Sequence, residues 1–527
     1  MISHILAFVI YLGFMIMIGV MYAKKNNSSS DFFLGGRKVG PWMTALSAEA
    51  SDMSGWLLMG LPGLAYLGGM KEAFWTALGL VIGTYLNWLI VAKSLRKCTI
   101  AFGDSITIPE FLTNRFKDKS KVLSTVSVIF IILFFTIYTA SGFVACAKLF
   151  NSVFGLPYHV GLVLGTIVIL LYTILGGYLA VCATDFIQGT LMFIACIVAA
   201  AVMVVVLGGP GEAMASVAAF SERAISGEFG EAMQGKFLAN QNYGIVQIIS
   251  ALAWGLGYFG MPHILVRFMG IRSNKEVALS RRIATVWVVI AFIGTLIVGS
   301  LGTVYLPEIL SPSAAETVFS ATIQKMFPAF IGGIFLCAIL AAAMSTADSQ
   351  LLVASSAFSQ DIFKGLIKKD ATTKEVLSIS RIAVFIIAAV AFVLSLDENS
   401  SIFGLVSYAW AGFGATFGPL VLLALFWKGA TAKGAIAGLI GGGVTVVAWH
   451  NIPATVAPIF GVYEILPAFI VCLVLAVVVS LLDKNKDPEM IAEFEAFKKM
   501  EHFINTFIDS WIFPTKKQHI DFSKRAP

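Results

Sequence analysis

Charge is what this 527-residue chain lacks: Asp, Glu, Lys and Arg together make up 13% of it, against 58% hydrophobic residues. With a mean hydropathy of +0.87, that balance excludes an ordinary soluble globule. Cysteine is scarce too. The six (Cys98, Cys146, Cys182, Cys196, Cys337 and Cys472) lie along or beside apolar stretches without metal-ligand spacing, and read as small apolar filler. No phosphate loop, paired-histidine metal motif or nucleophile elbow occurs, so ATP hydrolysis and enzyme chemistry have no carrier.

What the chain has is apolar length. Stretches of about 20 apolar residues read as membrane helices, and about thirteen occur: 3–23, 41–66, 72–92, 122–150, 158–179, 187–208, 243–268, 281–306, 327–358, 378–396, 401–427, 433–450 and 463–483. Several exceed the minimum, which implies tilt or breaks. No basic residue precedes the first, and Lys24 and Lys25 follow it, so it is a retained span rather than a signal peptide. If loops alternate sides, all but five of the 36 basic residues fall on one side, and the exceptions are Lys71, Lys148, Arg223, Lys236 and Lys325. The basic side is cytoplasmic, with the N-terminus outside and the C-terminus inside. The net charge of +6 thus follows orientation and calls for no nucleic acid.

The aqueous segments are small. The outer stretch 209–242 is rich in Gly, Ala and Glu and has room for a short surface helix. In the tail, Asp487-Pro488-Glu489 is a good helix start. Phe494, Phe497, Ile504, Phe507, Ile508 and Trp511 then recur at helical spacing. This describes an amphipathic helix on the inner membrane surface or one docked onto the bundle.

Asp52 stands midway along an apolar stretch, between Ser51 and Ser54 and before Gly55, Gly60 and Gly63. A carboxylate near a bilayer centre costs at least ~2.5 kcal/mol on insertion scales, so such groups face a polar cavity or pathway. Glycines that interrupt a membrane helix are tolerated where the freed backbone lines a cavity. The seventh span is interrupted similarly, at Trp254-Gly255-Leu256-Gly257-Tyr258-Phe259-Gly260-Met261-Pro262-His263. Trp254 and Tyr258 share one helical face, a suitable wall for a small ring or a cationic amine. Paired interruptions point to a solute site between two repeats.

The ninth span contributes Met344-Ser345-Thr346-Ala347-Asp348-Ser349-Gln350. Single intramembrane hydroxyls usually bond back to their own helix. Three of them with a carboxylate within two turns read instead as oxygen ligands for a hard cation. Asp185, at the predicted inner end of the fifth and sixth spans, is either a loop or cap residue or a third functional acid. Gly434, Gly438 and Gly442, four residues apart, read as helix-packing positions.

Four runs carry a resemblance: Asp52 through Gly63, Trp254 through Gly260, Met344-Ser345-Thr346, and Gly404-Leu405-Val406-Ser407-Tyr408-Ala409-Trp410-Ala411-Gly412-Phe413-Gly414. The chain resembles the sodium/solute symporter family, nearest its proline-carrying bacterial branch, from about residue 32 to about residue 482. The resemblance implies an all-α integral membrane protein of leucine-transporter type, with two inverted five-helix repeats. In that frame 1–40 is a peripheral helix and inner loop, 41–208 the first repeat, 209–242 an extracellular loop and 243–427 the second repeat. Residues 428–483 are peripheral spans and 484–527 a cytoplasmic tail.

The resemblance further implies a symporter of a bacterial plasma membrane, not an enzyme, importing L-proline with sodium by alternating access. Sodium would be held by the carbonyls of Ala50, Met53 and Ala342 and the hydroxyls of Ser345 and Thr346. Asp52 matches an acid needed for sodium-coupled transport, without having to be a direct ligand. Ser54, Trp254, Tyr258 and Pro262 match proline-binding positions. One departure stands out: Asp348 replaces a hydroxyl of the proline carriers. Some relatives build a second sodium site there, so Asp185, Asp348 and Ser349, with Ser345, are candidates for a second cation position. Another small organic solute on the same fold is the alternative; a membrane sensor fits less well, because the tail leaves no room for a signalling module, and a channel less well, because broken helices around an occludable midplane site do not make a continuous pore.

Overall fold

A computed structural model describes residues 2–23, 28–175 and 177–499. Among them there is no strand, only an isolated bridge between Val39 and Ile271, and nearly everything else is helix. Among the described residues ten helices are long and apolar enough to cross a membrane, or eleven if the bent pair Ile245–Phe259 and Pro262–Gly270 counts as one. The expected thirteen is therefore not reached by length and hydropathy. The second stretch is helical but polar and broken, and the fifth, Tyr158–Leu175, contains a shorter apolar helix.

The second span runs as a helix over Pro41–Gly55, makes a wide turn over Trp56–Gly60 and continues over Leu61–Gly68. Its break falls at Ser54 rather than at the glycines. Ser54 has φ 46° and ψ −171°, a backbone state that costs a non-glycine residue on the order of 1–3 kcal/mol. Its hydroxyl accepts from the Trp56 amide at 3.1 Å, and Tyr138 donates to the freed Asp52 carbonyl at 3.0 Å. Gly55 and Gly63 instead mark close approaches, to Ala145 and to the backbone of Glu316.

The seventh span is helical over Ile245–Leu252, winds tightly over Ala253–Phe259, and restarts at Pro262 with a 45° bend. Pro262 takes the first helical position, where its missing amide costs nothing. Gly79 and Gly83 of the third span let that helix touch the backbone of Leu252 and Gly255, and a Cβ at Gly257 would strike Trp410. These glycines bring three helices close enough to share one small site. Gly434, Gly438 and Gly442 do pack a helix closely, against Ala476, Cys472 and Ala415.

The stretch 209–242 holds two helices, Pro210–Ile225 and Glu231–Gln241. Phe220, Met233 and Phe237 bury against Tyr66 and Val318. On the opposite side, the described part of the tail is helical over 488–499 and docks on the bundle. Met490 and Phe494 are buried there, and the Arg115 guanidinium lies 4.1 Å from the Phe494 ring. Lys117 pairs with Glu489 at 3.3 Å and Glu493 at 2.5 Å, and this pairing raises the lysine's pKa. Ile504, Phe507, Ile508 and Trp511 of the expected amphipathic stripe lie outside the described residues.

Candidate functional site

The two breaks face each other. Tyr258, in the wound segment of the seventh span, donates a 2.6 Å hydrogen bond to Asp52 Oδ2. Around this bond Asp52, Met53, Trp56, Leu80, Tyr138, Trp254, Tyr258, Val406 and Trp410 line a chamber that leaves only about 10 Å³ free. That is room for roughly one water, so an organic solute requires the walls to part. Trp56 and Trp254 lie 5.6 Å apart, and Phe403 lies 5.4 Å from Trp254. Trp410 meets the Tyr258 ring edge-on at 5.0 Å and donates to the Trp254 carbonyl at 2.7 Å. A second cavity of about 250 Å³, with Glu72, Tyr243 and Tyr463 in its wall, also touches Trp254 and Phe403. Trp254 is the ring that both cavities share.

Of the four residues expected to face the solute, Trp254 and Tyr258 line the chamber. Ser54 and Pro262 do not; they shape the two breaks that place Asp52 and Tyr258. Tyr138, Trp56, Trp410 and Phe403 were not singled out from the sequence as individual site residues. A buried Tyr, Trp or Phe in an apolar helix gives no periodic signal to separate lining from core.

The expected sodium ligands converge from two helices. The Ser345 hydroxyl donates to the Ala50 carbonyl at 2.8 Å and lies 3.3 Å from that of Ala342. The Thr346 hydroxyl reaches the same Ala50 carbonyl at 3.4 Å. The Met53 carbonyl accepts from the Trp56 amide across the break. These neutral oxygens are the donor chemistry a hard monovalent cation takes. The hydroxyl protons that now point at carbonyls would have to turn away for the oxygens to ligate.

Asp185, Asp348 and Ser349 also meet, but around a side chain. Asp185 lies inside the Tyr178–Val206 helix, fully buried, not in a loop or at a cap. Arg267, counted above among the basic residues of an inner loop, is fully buried in Pro262–Gly270. Its guanidinium donates to Asp185 Oδ2 at 3.2 Å, the Ser349 hydroxyl at 2.5 Å, the Ser47 hydroxyl at 3.1 Å and the His263 carbonyl at 2.8 Å. Ser47 donates to Asp185 Oδ2 at 2.6 Å, and the Ser349 hydroxyl lies 3.4 Å from Asp348 Oδ1. The cation beside these two acids is thus tethered to the protein. Lys148 and Arg115 depart from the loop count likewise: Lys148 pairs with Glu316 at 2.6 Å in the interior, and Arg115 donates to the Ala424 carbonyl at 2.9 Å.

The sequence reading also passed over Glu49, one turn before Asp52 and only 2% exposed. An acid three residues from the one already chosen, in the same apolar stretch, was the available signal. All six cysteines are buried and unbridged, as expected of filler.

The family model of the sodium:solute symporter family matches residues 32–442. A sodium/proline symporter of Staphylococcus aureus is 43% identical over 483 residues, covering 90% of this chain and 92% of the relative. Among solved structures, a Na+-coupled sialic acid symporter in a substrate-bound outward-open state aligns with a TM-score of 0.72 at 20% identity. It covers 92% of this chain and 99% of that one. MHP1, a nucleobase-cation-symport-1 family transporter in a closed conformation, aligns with a TM-score of 0.51 at 11% identity, over 90% and 99% of the two chains. At these identities the structures establish the fold, an all-helical membrane bundle of leucine-transporter type.

Proposed function

The chain belongs to the sodium:solute symporter family, and on that premise we propose that it imports L-proline together with sodium by alternating access. The observation that carries the reading is the pairing of the two breaks. Asp52 and Tyr258 join them at one end of a chamber walled by aromatic rings, while Ala50 ties the first break to Ser345 and Thr346. Proline is a compact zwitterion with one small apolar ring. Trp254, Tyr258, Trp56 and Trp410 supply flat apolar walls, and the wound segment offers backbone groups to the charged ends.

In this reading sodium is cargo, held by the carbonyls of Ala50, Met53 and Ala342 and the hydroxyls of Ser345 and Thr346, with Asp52 as nearby countercharge. The repeats are 41–208 and 243–427, in a bacterial plasma membrane with the N-terminus outside and the C-terminus inside. One sodium moving down ~100 mV supplies ~2.3 kcal/mol, and a tenfold gradient adds ~1.4 kcal/mol. Together they sustain roughly 500-fold accumulation of a net-neutral solute. Asp185, Asp348 and Ser349 hold the inner half of the second span to the sixth and ninth through Arg267.

The test is uptake into proteoliposomes of the purified chain. Saturable, sodium-dependent accumulation of labelled proline, displaced by unlabelled proline but not by a panel of other amino acids and organic solutes, is the expected result. Displacement by another solute at lower concentration than proline would reassign the substrate.

A further inference from the structure

Behind the Asp52–Tyr258 bond lies a second polar cluster that shares only Asp52 with the sodium site above. Glu49 and Asp52 stand three residues apart on one face of Pro41–Gly55. Opposite them, Thr84, Asn87 and Trp88 share a face of the third span, where the helix widens into a five-residue turn over Asn87–Val91. Such widened turns recur at functional sites. Trp88 Nε1 donates to Glu49 Oε1 at 3.4 Å, and Asn87 Nδ2 donates to the Tyr258 carbonyl at 2.9 Å. Glu49, Thr84 and Asn87 are each at most 2% exposed, and Asp52 is 5% exposed.

Four oxygens of this cluster have no hydrogen-bond partner: Glu49 Oε2, Asp52 Oδ1, Thr84 Oγ1 and Asn87 Oδ1. Buried acceptors of this kind are normally paired, and an unpaired buried carboxylate is among the costliest groups to bury. The donors of Tyr258, Trp88 and Asn87 go to Asp52 Oδ2, Glu49 Oε1 and the Tyr258 carbonyl, which leaves only the Thr84 hydroxyl proton and the second Asn87 amide proton for these four oxygens. Among the described residues no lysine, arginine or histidine pairs with Glu49 or Asp52, and the nearby Arg267 is held by Asp185.

We propose that Glu49, Asp52, Thr84 and Asn87 form a second binding site for a hard monovalent cation, filled by sodium during transport. The proposal rests on the symport reading above and deepens it. Oxygen-only donors select a hard cation, and four side-chain oxygens fall short of the about six to eight that calcium takes. Charge balance points the same way. The first sodium's ligands are neutral carbonyls and hydroxyls, so one sodium leaves one of the two buried carboxylates uncompensated. Two sodium ions neutralise both. The site also spans three helices, since Glu49 and Asp52 come from the second, Thr84 and Asn87 from the third, and Tyr258 of the seventh bridges both. An ion there draws the break in the second span toward the third, and thereby stiffens the wall that carries Tyr258.

The experiment counts sodium directly. The purified chain in lipid is titrated with radioactive sodium without proline, and charge moved per proline is taken from reversal potentials in proteoliposomes. Two bound sodium ions and two charges per proline are expected for the native chain, falling to one and one in Glu49→Gln. Thr84→Val keeps the shape but removes one unpartnered oxygen, so it should keep both ions while raising the half-saturating sodium of one step about tenfold. A native count of one, or a Glu49→Gln count still at two, overturns the second site. If Glu49→Gln does not reach the membrane, an unaltered two-step titration in Thr84→Val overturns it. Sodium-dependent proline uptake with one charge in both chains would defeat this site alone, whereas absence of such uptake would defeat the symport reading itself.

Discussion

The Tyr258 hydroxyl donates to Asp52 at 2.6 Å, so one hydrogen bond joins the broken segments of the second and seventh spans. Each residue depends on the other's helix break for its position. Asp52 is presented by the turn at Ser54, and Tyr258 by the tight winding before Pro262. The bond makes a ring that walls the chamber also the partner of an acid adjacent in sequence to Met53, a proposed sodium ligand.

Tyr258→Phe keeps the ring and loses the bond, leaving Asp52 Oδ2 buried without a donor. A hydrogen bond to a charged group is worth about 1.5–3 kcal/mol, so coupling should loosen. Half-saturating sodium for uptake should rise about tenfold or more, with a smaller change in proline affinity at saturating sodium. Tyr258→Ala removes the wall as well, and its proline affinity should fall further. Equal proline affinities in the two variants would show that the ring contributes nothing to the solute.

Thr346→Ala removes one of two hydroxyls directed at the Ala50 carbonyl. It should raise the sodium needed for half-maximal uptake by about tenfold, an ordinary loss of about 1.4 kcal/mol, with membrane abundance unchanged. Ser345→Ala should do more, because its hydroxyl also lies against Ala342. Equilibrium sodium binding by calorimetry or radiotracer checks both without relying on transport.

Arg267 neutralises Asp185 in the interior and borders Asp348 through Ser349. Removing one member of a buried ion pair costs about 3–5 kcal/mol, since the other charge stays buried. Arg267→Gln should therefore lower both membrane abundance and melting temperature. Asp348→Ser deletes one of the two acids and leaves a hydroxyl in its place. The double variant Arg267→Gln with Asp348→Ser should recover part of the lost melting temperature, and a purely additive result would separate Asp348 from the arginine.

How far the sequence reached depends on what each residue signals. Asp52, Ser345 and the two breaks were visible because a charge, a hydroxyl cluster or a proline among glycines is costly in a membrane helix and needs a reason. Arg267 was not, because basic residues near a span end are normally loop residues, and only the packing of Asp185 against it reverses that. The position of the second break was legible from Pro262. The first was misplaced, since glycines that serve as close-packing points look like glycines that unwind a helix, and Ser54 carries no sequence mark of a positive φ. The rings that close the chamber were hidden among the chain's 42 phenylalanines and 10 tryptophans.

The tail helix provides the last prediction, because two kinds of contact hold it and they should respond differently. Phe494 is buried against the Arg115 guanidinium, which itself caps the carbonyls of Ala424 and Trp427 at the C-terminal end of the eleventh span. Burying a phenylalanine contributes about 1.5–3 kcal/mol, and the cation–π contact up to about 2 kcal/mol more. The ion pairs of Lys117 with Glu493 and of Lys428 with Glu495 are solvent-exposed on at least one side, where such pairs contribute little and weaken with salt. Phe494→Ala should therefore release the helix, seen as rapid proteolysis within 488–499 and a lower melting temperature at any ionic strength. Glu493→Gln should match the native chain at high salt and differ only slightly at low salt. Release of the helix by salt alone in the native chain would make the ion pairs, rather than Phe494, the dominant attachment.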